Sequence, residues 1–78
     1  MEHKPIRYQA FRHMKGMDLA CKCGERWYLR PDRPSYKMHL AEVAMHFSWM
    51  PPPLGAPSVA LTDWLVTHLP SQLRPKGG

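Results

Sequence analysis

The sequence predicts a small α+β domain in which a β-hairpin precedes one long α-helix, with an additional helix at the C-terminus. Two observations predict this fold. The stretch L-A-C-K-C-G-E-R-W-Y-L-R at 19–30 sets a glycine turn between residues typical of strands. The stretch Y-K-M-H-L-A-E-V-A-M-H-F-S-W-M at 36–50 contains neither glycine nor proline, which favours about four helical turns.

The remaining elements follow in order along the chain. Residues 1–18 mix basic with isolated apolar residues and are interpreted as a basic N-terminal arm, in which R-Y-Q-A-F could form a short strand or part of an ordered arm. Residues 19–50 then form the hairpin and helix, with Ser35 as the predicted N-cap. P-P-P stiffens the linker at 51–57, residues 58–70 form the second helix, and residues 71–78 form a flexible tail.

Length and composition set the limits of this domain. Its 78 residues are 44% hydrophobic, enough for a core, but a chain this short buries only about 60% of the surface exposed on unfolding. A disulfide, metal or partner is therefore expected to add stability. No stretch approaches the roughly 18 apolar residues of a membrane span, and M-E-H-K-P-I-R has no apolar signal core. We expect a cytoplasmic protein without membrane association or a small-molecule substrate.

Two histidines share the inner face of the long helix. At about 100° per residue, an apolar stripe runs along the helix with Val43 near its middle. His39 and His46 lie within about 20° of each other at one edge of this stripe, because seven residues nearly complete two turns. Thiols and imidazoles are ligands that zinc prefers. The sequence therefore predicts one structural Zn²⁺ ion, bound by Cys21, Cys23, His39 and His46.

This pattern resembles the two-cysteine, two-histidine zinc finger over residues 21–46, and more loosely the small single-finger proteins of bacteria and phages. Trp27 stands four positions after the second cysteine, where such fingers usually carry an aromatic residue. The spacing differs: C-x-C, fifteen residues and H-x6-H replace C-x2–4-C, about twelve residues and H-x3–5-H. The resemblance implies contact with nucleic acid.

The wide histidine spacing leaves the fourth ligand open. Seven helical residues rise about 10.5 Å, so two imidazoles must lean toward one ion from either side. His46 is the preferred ligand, and His13 and His68 are alternatives to His39. His3 lies in the predicted arm and is assigned no role.

Two other interpretations of the cysteines remain. Both thiols could be reduced and simply packed, with histidines that bind no metal. They could also form a redox-active dithiol, because Lys22 and nearby arginines favour a thiolate. A site with four protein ligands leaves no position for water, and no carboxylate stands beside a ligand as a general base. We therefore predict a protein that is not an enzyme.

The net charge of +5 is concentrated in the first half of the chain. Basic residues there could contact the phosphates of DNA or RNA. Such phosphate contacts carry little sequence preference. The outer face of the long helix carries only one basic residue, so the helix is poorly suited to recognising the edges of nucleic-acid bases. We predict a regulatory module whose nucleic-acid-binding residues are Arg7, Arg12, Lys15, Lys22, Arg26, Arg30 and Arg33.

The alternative function is a protein-binding adaptor or inhibitor. Met38, Met45 and Trp49 fall within about 40° of one another on the outer face of the helix. Such a stripe is usually covered, either by the C-terminal helix folding back or by another protein. In the second case the basic half of the chain would meet an acidic protein surface.

Overall fold

The computed structural model describes residues 2–11 and 15–75. Over this part of the chain, a three-stranded antiparallel sheet of order β1-β2-β3 is followed by two helices and a short 3₁₀ turn. The α+β prediction is therefore confirmed. The elements are β1 (Pro5–Phe11), β2 (Gly16–Cys21), β3 (Arg26–Leu29), α1 (Tyr36–Phe47), α2 (Ser58–His68) and the turn Ser71–Leu73.

The first strand occupies much of the segment predicted to be an arm. It pairs with β2 from Pro5 opposite Cys21 to Phe11 opposite Gly16, with an irregularity near Arg7. Tyr8 packs against the core between two exposed polar neighbours, which is the alternation of a half-buried strand. Within the segment interpreted as an arm at 1–18, residues 5–11 are an edge strand and residues 16–18 begin β2.

The predicted hairpin is formed by β2 and β3. The Cys21 amide donates to the Glu25 carbonyl at 2.8 Å, and the Gly24 amide donates to the Cys21 carbonyl at 3.0 Å. Gly24 has a φ of 103°, a conformation that side chains disfavour and glycine adopts readily. This tight turn fixes where the two cysteines lie.

Side chains from one face of the sheet and from both helices form the core. Tyr36 ties the helices together, since its hydroxyl lies 2.5 Å from the Thr62 hydroxyl. The Arg74 guanidinium donates hydrogen bonds to the carbonyls of Leu69 and Thr67, and these bonds hold the start of the predicted tail against α2. The fully buried core side chains include Leu19, Leu29, Tyr36, Leu40, Val43, Leu61, Leu65 and Leu69.

The long helix is shorter than predicted at its C-terminal end. Ser48 adopts a left-handed conformation with a φ of 57°, and this ends α1 three residues before Pro51. At the other end Ser35 occupies the N-cap, but its side chain makes no capping hydrogen bond.

The second helix folds back across the proline-rich segment and covers part of the predicted protein-binding stripe. Trp49 stacks on His68 with ring centroids 5.2 Å apart, and the Trp64 indole donates to the Met50 carbonyl at 3.2 Å. Met38 and Met45 are not covered, with 63% and 82% of their surface exposed. No helix among the described residues has the length and apolar character needed to cross a membrane.

Candidate metal centre

The hairpin turn brings the two thiols together. Cys21 is the last residue of β2 and is buried, whereas Cys23 lies two residues on in the turn and is half-buried. The backbone amide of Cys23 lies 3.5 Å from the Cys21 sulfur, to which it donates. Neither cysteine is in a disulfide, so both sulfurs are free to act as ligands.

The last turn of α1 carries His46 to these sulfurs. Its Nε2 atom lies 3.5 Å from the Cys23 sulfur. The edge-on ring of Trp27 lies 4.9 Å from the imidazole, and the Phe47 ring lies 5.0 Å away. Two aromatic side chains therefore fix the orientation of the histidine beside the turn.

The fourth member of the cluster is His3, which precedes β1. The pairing of Pro5 with Cys21 continues past the strand end, where the Lys22 amide donates to the Lys4 carbonyl at 2.9 Å. This pairing carries His3 alongside the turn, with its Nδ1 atom 3.9 Å from the Cys21 sulfur. Its ring centroid is 4.1 Å from that of His46.

The four side chains have the size and chemistry of a metal site. One ligand atom from each of His3, Cys21, Cys23 and His46 lies within 4.8 Å of all the others. A tetrahedral ion with bonds of 2.3 Å to sulfur and 2.0–2.1 Å to nitrogen separates these two atoms by about 3.6 Å. The Cys23–His46 distance of 3.5 Å matches this edge, and the Cys21–His3 distance of 3.9 Å is only slightly longer. The residues present could therefore hold a metal ion.

The structure brings together three of the four residues predicted as ligands, but not His39. That residue lies on the wall of a polar groove of about 250 Å³ between β3 and α1, beside Glu25 and Glu42. His39 and His46 point the same way around the helix but lie about 10.5 Å apart along it. Only His46 is level with the turn, so His3 takes the place assigned to His39.

The two alternative ligands also have different outcomes. His68 packs between Trp49 and Trp64, and its Nδ1 atom lies 2.8 Å from the Trp64 carbonyl oxygen. It is a packed histidine of α2. His13 and the predicted phosphate ligand Arg12 lie outside the described residues.

Sequence reasoning missed His3 because a long-range strand pairing places it. His3 lies eighteen positions before Cys21, outside the cysteine and histidine spacings of a standard finger. The available signal was the antiparallel register: a strand at 5–11 paired with 16–21 carries the residues before Pro5 past Cys21.

The environment of Cys21 favours its thiolate form. Burial is the largest influence and by itself raises the pKa of this thiol. The Cys23 amide, the imidazoles of His46 and His3 and the Cys23 thiol hydrogen-bond to the sulfur and together lower its pKa from 9.0 to about 6. Thiolates are the metal-binding form of cysteine, so at neutral pH this sulfur is ready to bind a cation.

We expect one thiol of the metal-free folded protein to ionise near pH 6. Because its folded pKa lies below the unfolded value of 9.0, the resulting stabilisation is fully present above about pH 9 and lost as the pH falls through about 6. Thiolate absorbance followed against pH at about 10–20 °C, where small domains are most stable, measures this ionisation. The same protein in denaturant is the control, and a folded protein that shows no thiolate below pH 8 contradicts the assignment.

No protein-family model, curated protein or solved structure matches the chain. The fold and site together define the class: a small α+β protein with a cluster of two cysteines and two histidines that is consistent with a zinc-finger-like site. The four residues of the cluster follow the order His-Cys-Cys-His along this chain, and His3 lies before the first strand. The site's geometry, rather than a sequence match, carries the resemblance.

Proposed function

We propose that the chain is a small zinc-binding regulatory module without enzymatic activity, and that its basic N-terminal half contacts nucleic acid. The single observation that carries the proposal is the convergence of His3, Cys21, Cys23 and His46. Two thiolates and two imidazoles in a closed, four-coordinate arrangement suit Zn²⁺ better than Mg²⁺ or Ca²⁺, which prefer oxygen. Four protein ligands leave no position for a reacting water, which supports a structural role.

The ion would connect three parts of the chain. His3 holds the segment before β1, Cys21 and Cys23 hold the β2–β3 turn, and His46 holds the end of α1. Structural zinc binding contributes about 10–16 kcal/mol in small finger domains. A contribution of this size offsets the limited burial of a 78-residue chain.

Metal content tests the first half of the proposal. The chain purified from zinc-supplemented medium should carry one zinc per polypeptide under native mass spectrometry. Replacement by Co²⁺ should give the intense visible absorption of a tetrahedral site with sulfur ligands. A bare polypeptide that also fails to take up added Zn²⁺ or Co²⁺ would refute the zinc-binding role.

The distribution of basic side chains supports the second half. Arg7, Lys15 and Arg33 are exposed. The other described members of the predicted set lie near acids: Lys22 and Glu2 at 3.8 Å, Arg26 and Asp18 at 2.7 Å, and Arg30 and Asp32 at 2.7 Å. Exposed ion pairs of this kind contribute little energy, so a phosphate can compete for the same cations.

Salt dependence tests this contact. We expect measurable affinity for random DNA or RNA at low salt, falling by about 100-fold or more between about 50 and 200 mM salt as counterions compete. Fluorescence anisotropy with labelled oligonucleotides measures the change. Absent low-salt affinity, or affinity insensitive to salt, would refute phosphate contact.

A protein-binding adaptor is the second candidate, and one observation favours it. Met38 and Met45 remain largely exposed on α1, and methionine is common on adaptable binding surfaces. Trp49 contributes less to such a surface because α2 covers part of it. On this alternative an acidic protein would bind the basic half of the chain.

A further inference from the structure

The sheet has a second face, opposite the one that packs on the helices. Along β2, Met17, Leu19 and Cys21 enter the core, so the alternate residues project to the other side. The same alternation applies to β1 around Tyr8 and to β3 around Trp27 and Leu29, which pack inward. We call the opposite side the outer sheet face; its side chains are Arg7, Gln9, Phe11, Asp18, Ala20, Arg26 and Tyr28.

An aromatic side chain lies across the middle strand of this face. The Tyr28 ring approaches Gly16 so closely that a Cβ atom there would fall 2.7 Å from the ring's Cζ and Oη atoms. Gly16 also pairs with Phe11 on the other side of β2. Tyr28 keeps 41% of its surface exposed, and Phe11 is half-buried. Two aromatic residues therefore flank one glycine on the same face.

The charged groups of the outer sheet face are predominantly cationic toward solvent. The Arg26 side chain is 63% exposed and binds the Asp18 carboxylate, which is only 14% exposed. Arg7 is exposed and donates to the Gln9 side chain at 2.6 Å. The one carboxylate among the named side chains is thus covered, whereas both guanidinium groups remain accessible to an anion.

We propose that the outer sheet face binds single-stranded nucleic acid, with bases stacking on Tyr28 and Phe11 and phosphates contacting Arg7 and Arg26. The inference rests on the proposed function and deepens it by naming the surface and the form of nucleic acid. Unpaired bases expose the faces that aromatic side chains stack on, and arginines along the same surface follow the backbone. A duplex keeps those base faces stacked inside its helix.

The other exposed surfaces of the described residues fit nucleic acid less well. On α1, Lys37 is the exposed cation and Glu42 lies on the same helix, so this helix offers little for a major groove. The polar groove beside α1 shares Arg26 and Tyr28 with the outer sheet face, but its lining also includes Glu25 and Glu42, whose charges repel phosphate. Among the described residues, two exposed guanidinium groups and two aromatic rings therefore coincide on the outer sheet face.

A structural role of Tyr28 makes a different prediction. Aromatic side chains can cover a glycine in a sheet and so stabilise the strand pairing. If that is its whole role, substitutions at Tyr28 change the stability of the domain and leave its affinity for nucleic acid unchanged.

The test compares full-length variants in their metal-loaded form against a single strand and a duplex of the same sequence. Tyr28→Leu keeps an apolar group over Gly16 but removes the aromatic ring, and Tyr28→Phe retains the ring. Base stacking contributes about 1–3 kcal/mol per base, so Tyr28→Leu should weaken single-strand binding by about tenfold, whereas Tyr28→Phe binds like the wild type. Thermal midpoints and metal content show that each variant is folded.

Charge-matched substitutions provide the second readout. Arg7→Gln should weaken single-strand binding and reduce its salt dependence by about one counterion. Lys37→Gln removes the same charge from α1, and we expect it to have a smaller effect. Equal effects of the two variants would indicate a general charge effect and overturn the assignment of this face.

The outcomes separate this inference from the proposed function. Tight duplex binding, or unchanged affinity of folded Tyr28→Leu, overturns the inference while leaving phosphate contact intact. Equal binding of polyglutamate, an acidic polypeptide, also overturns it, because base stacking would then contribute nothing. Absence of binding to any nucleic acid at low salt rejects both.

Discussion

We expect replacement of Cys23 by serine to abolish metal binding and to leave the domain largely unfolded at physiological temperature. The Cys23 sulfur lies 3.5 Å from His46 Nε2 and belongs to a turn that also holds Cys21. A serine hydroxyl at neutral pH is a poor zinc ligand, and loss of the ion removes much of the roughly 10 kcal/mol that a structural site can supply. Native mass spectrometry and thermal unfolding followed by circular dichroism measure the two effects.

Chelator treatment of the wild type is the matched control for this variant. The metal-free wild type should show the same lowered thermal midpoint, and added zinc should restore only the wild type. A Cys23→Ser protein with an unchanged midpoint and one bound metal would show that Cys23 is not a required ligand. An unchanged midpoint in a protein without metal would show that the core is sufficient alone.

Local signals in the sequence were enough to predict most of the fold. Gly24 and the residues typical of strands around it indicated the hairpin, and the uninterrupted stretch from Tyr36 indicated α1. These elements supply Cys21, Cys23 and His46. Their positions depend on one turn and one helix, whose geometry can be read from residues close in sequence.

Two features could not be predicted from local signals, for different physical reasons. His3 reaches the site through the pairing of β1 with β2, and R-Y-Q-A-F carries only a weak strand pattern whose partner is set by the whole sheet. Helical phase correctly put His39 and His46 on one side of α1. The angle of a residue around the helix does not give its position along the helix axis. That axial position decides which imidazole lies beside the β2–β3 turn.

The predicted protein-binding stripe shows a third limit of prediction from sequence, which is the exact residue at which a helix ends. Trp49 shares a helical phase with Met38 and Met45 only if the helix continues to residue 49. The left-handed Ser48 ends the helix first, and Trp49 then stacks between Phe47 and His68. The two methionines lie within the regular part of α1 and remain exposed.

Alanine substitutions at His3 and at His39 give the sharpest test of which histidine completes the site. We expect His3→Ala to weaken metal binding by more than 100-fold, because loss of outer-shell partners alone typically costs about 10–100-fold. We expect His39→Ala to bind metal like the wild type, because this side chain lies in the groove between β3 and α1. Competition with a chromophoric chelator measures both affinities, and the Co²⁺ spectrum reports the number of ligands retained.

The pair of variants also tests the strand register, because His3 reaches the sulfurs only while Pro5 pairs with Cys21. Both substitutions remove one imidazole, so a general loss of basic side chains affects them equally. Weak binding by His39→Ala with normal binding by His3→Ala would reverse the assignment. It would place both helix histidines on the ion, as the zinc-finger resemblance implies, and would require the last turns of α1 to loosen so that imidazoles seven residues apart can meet.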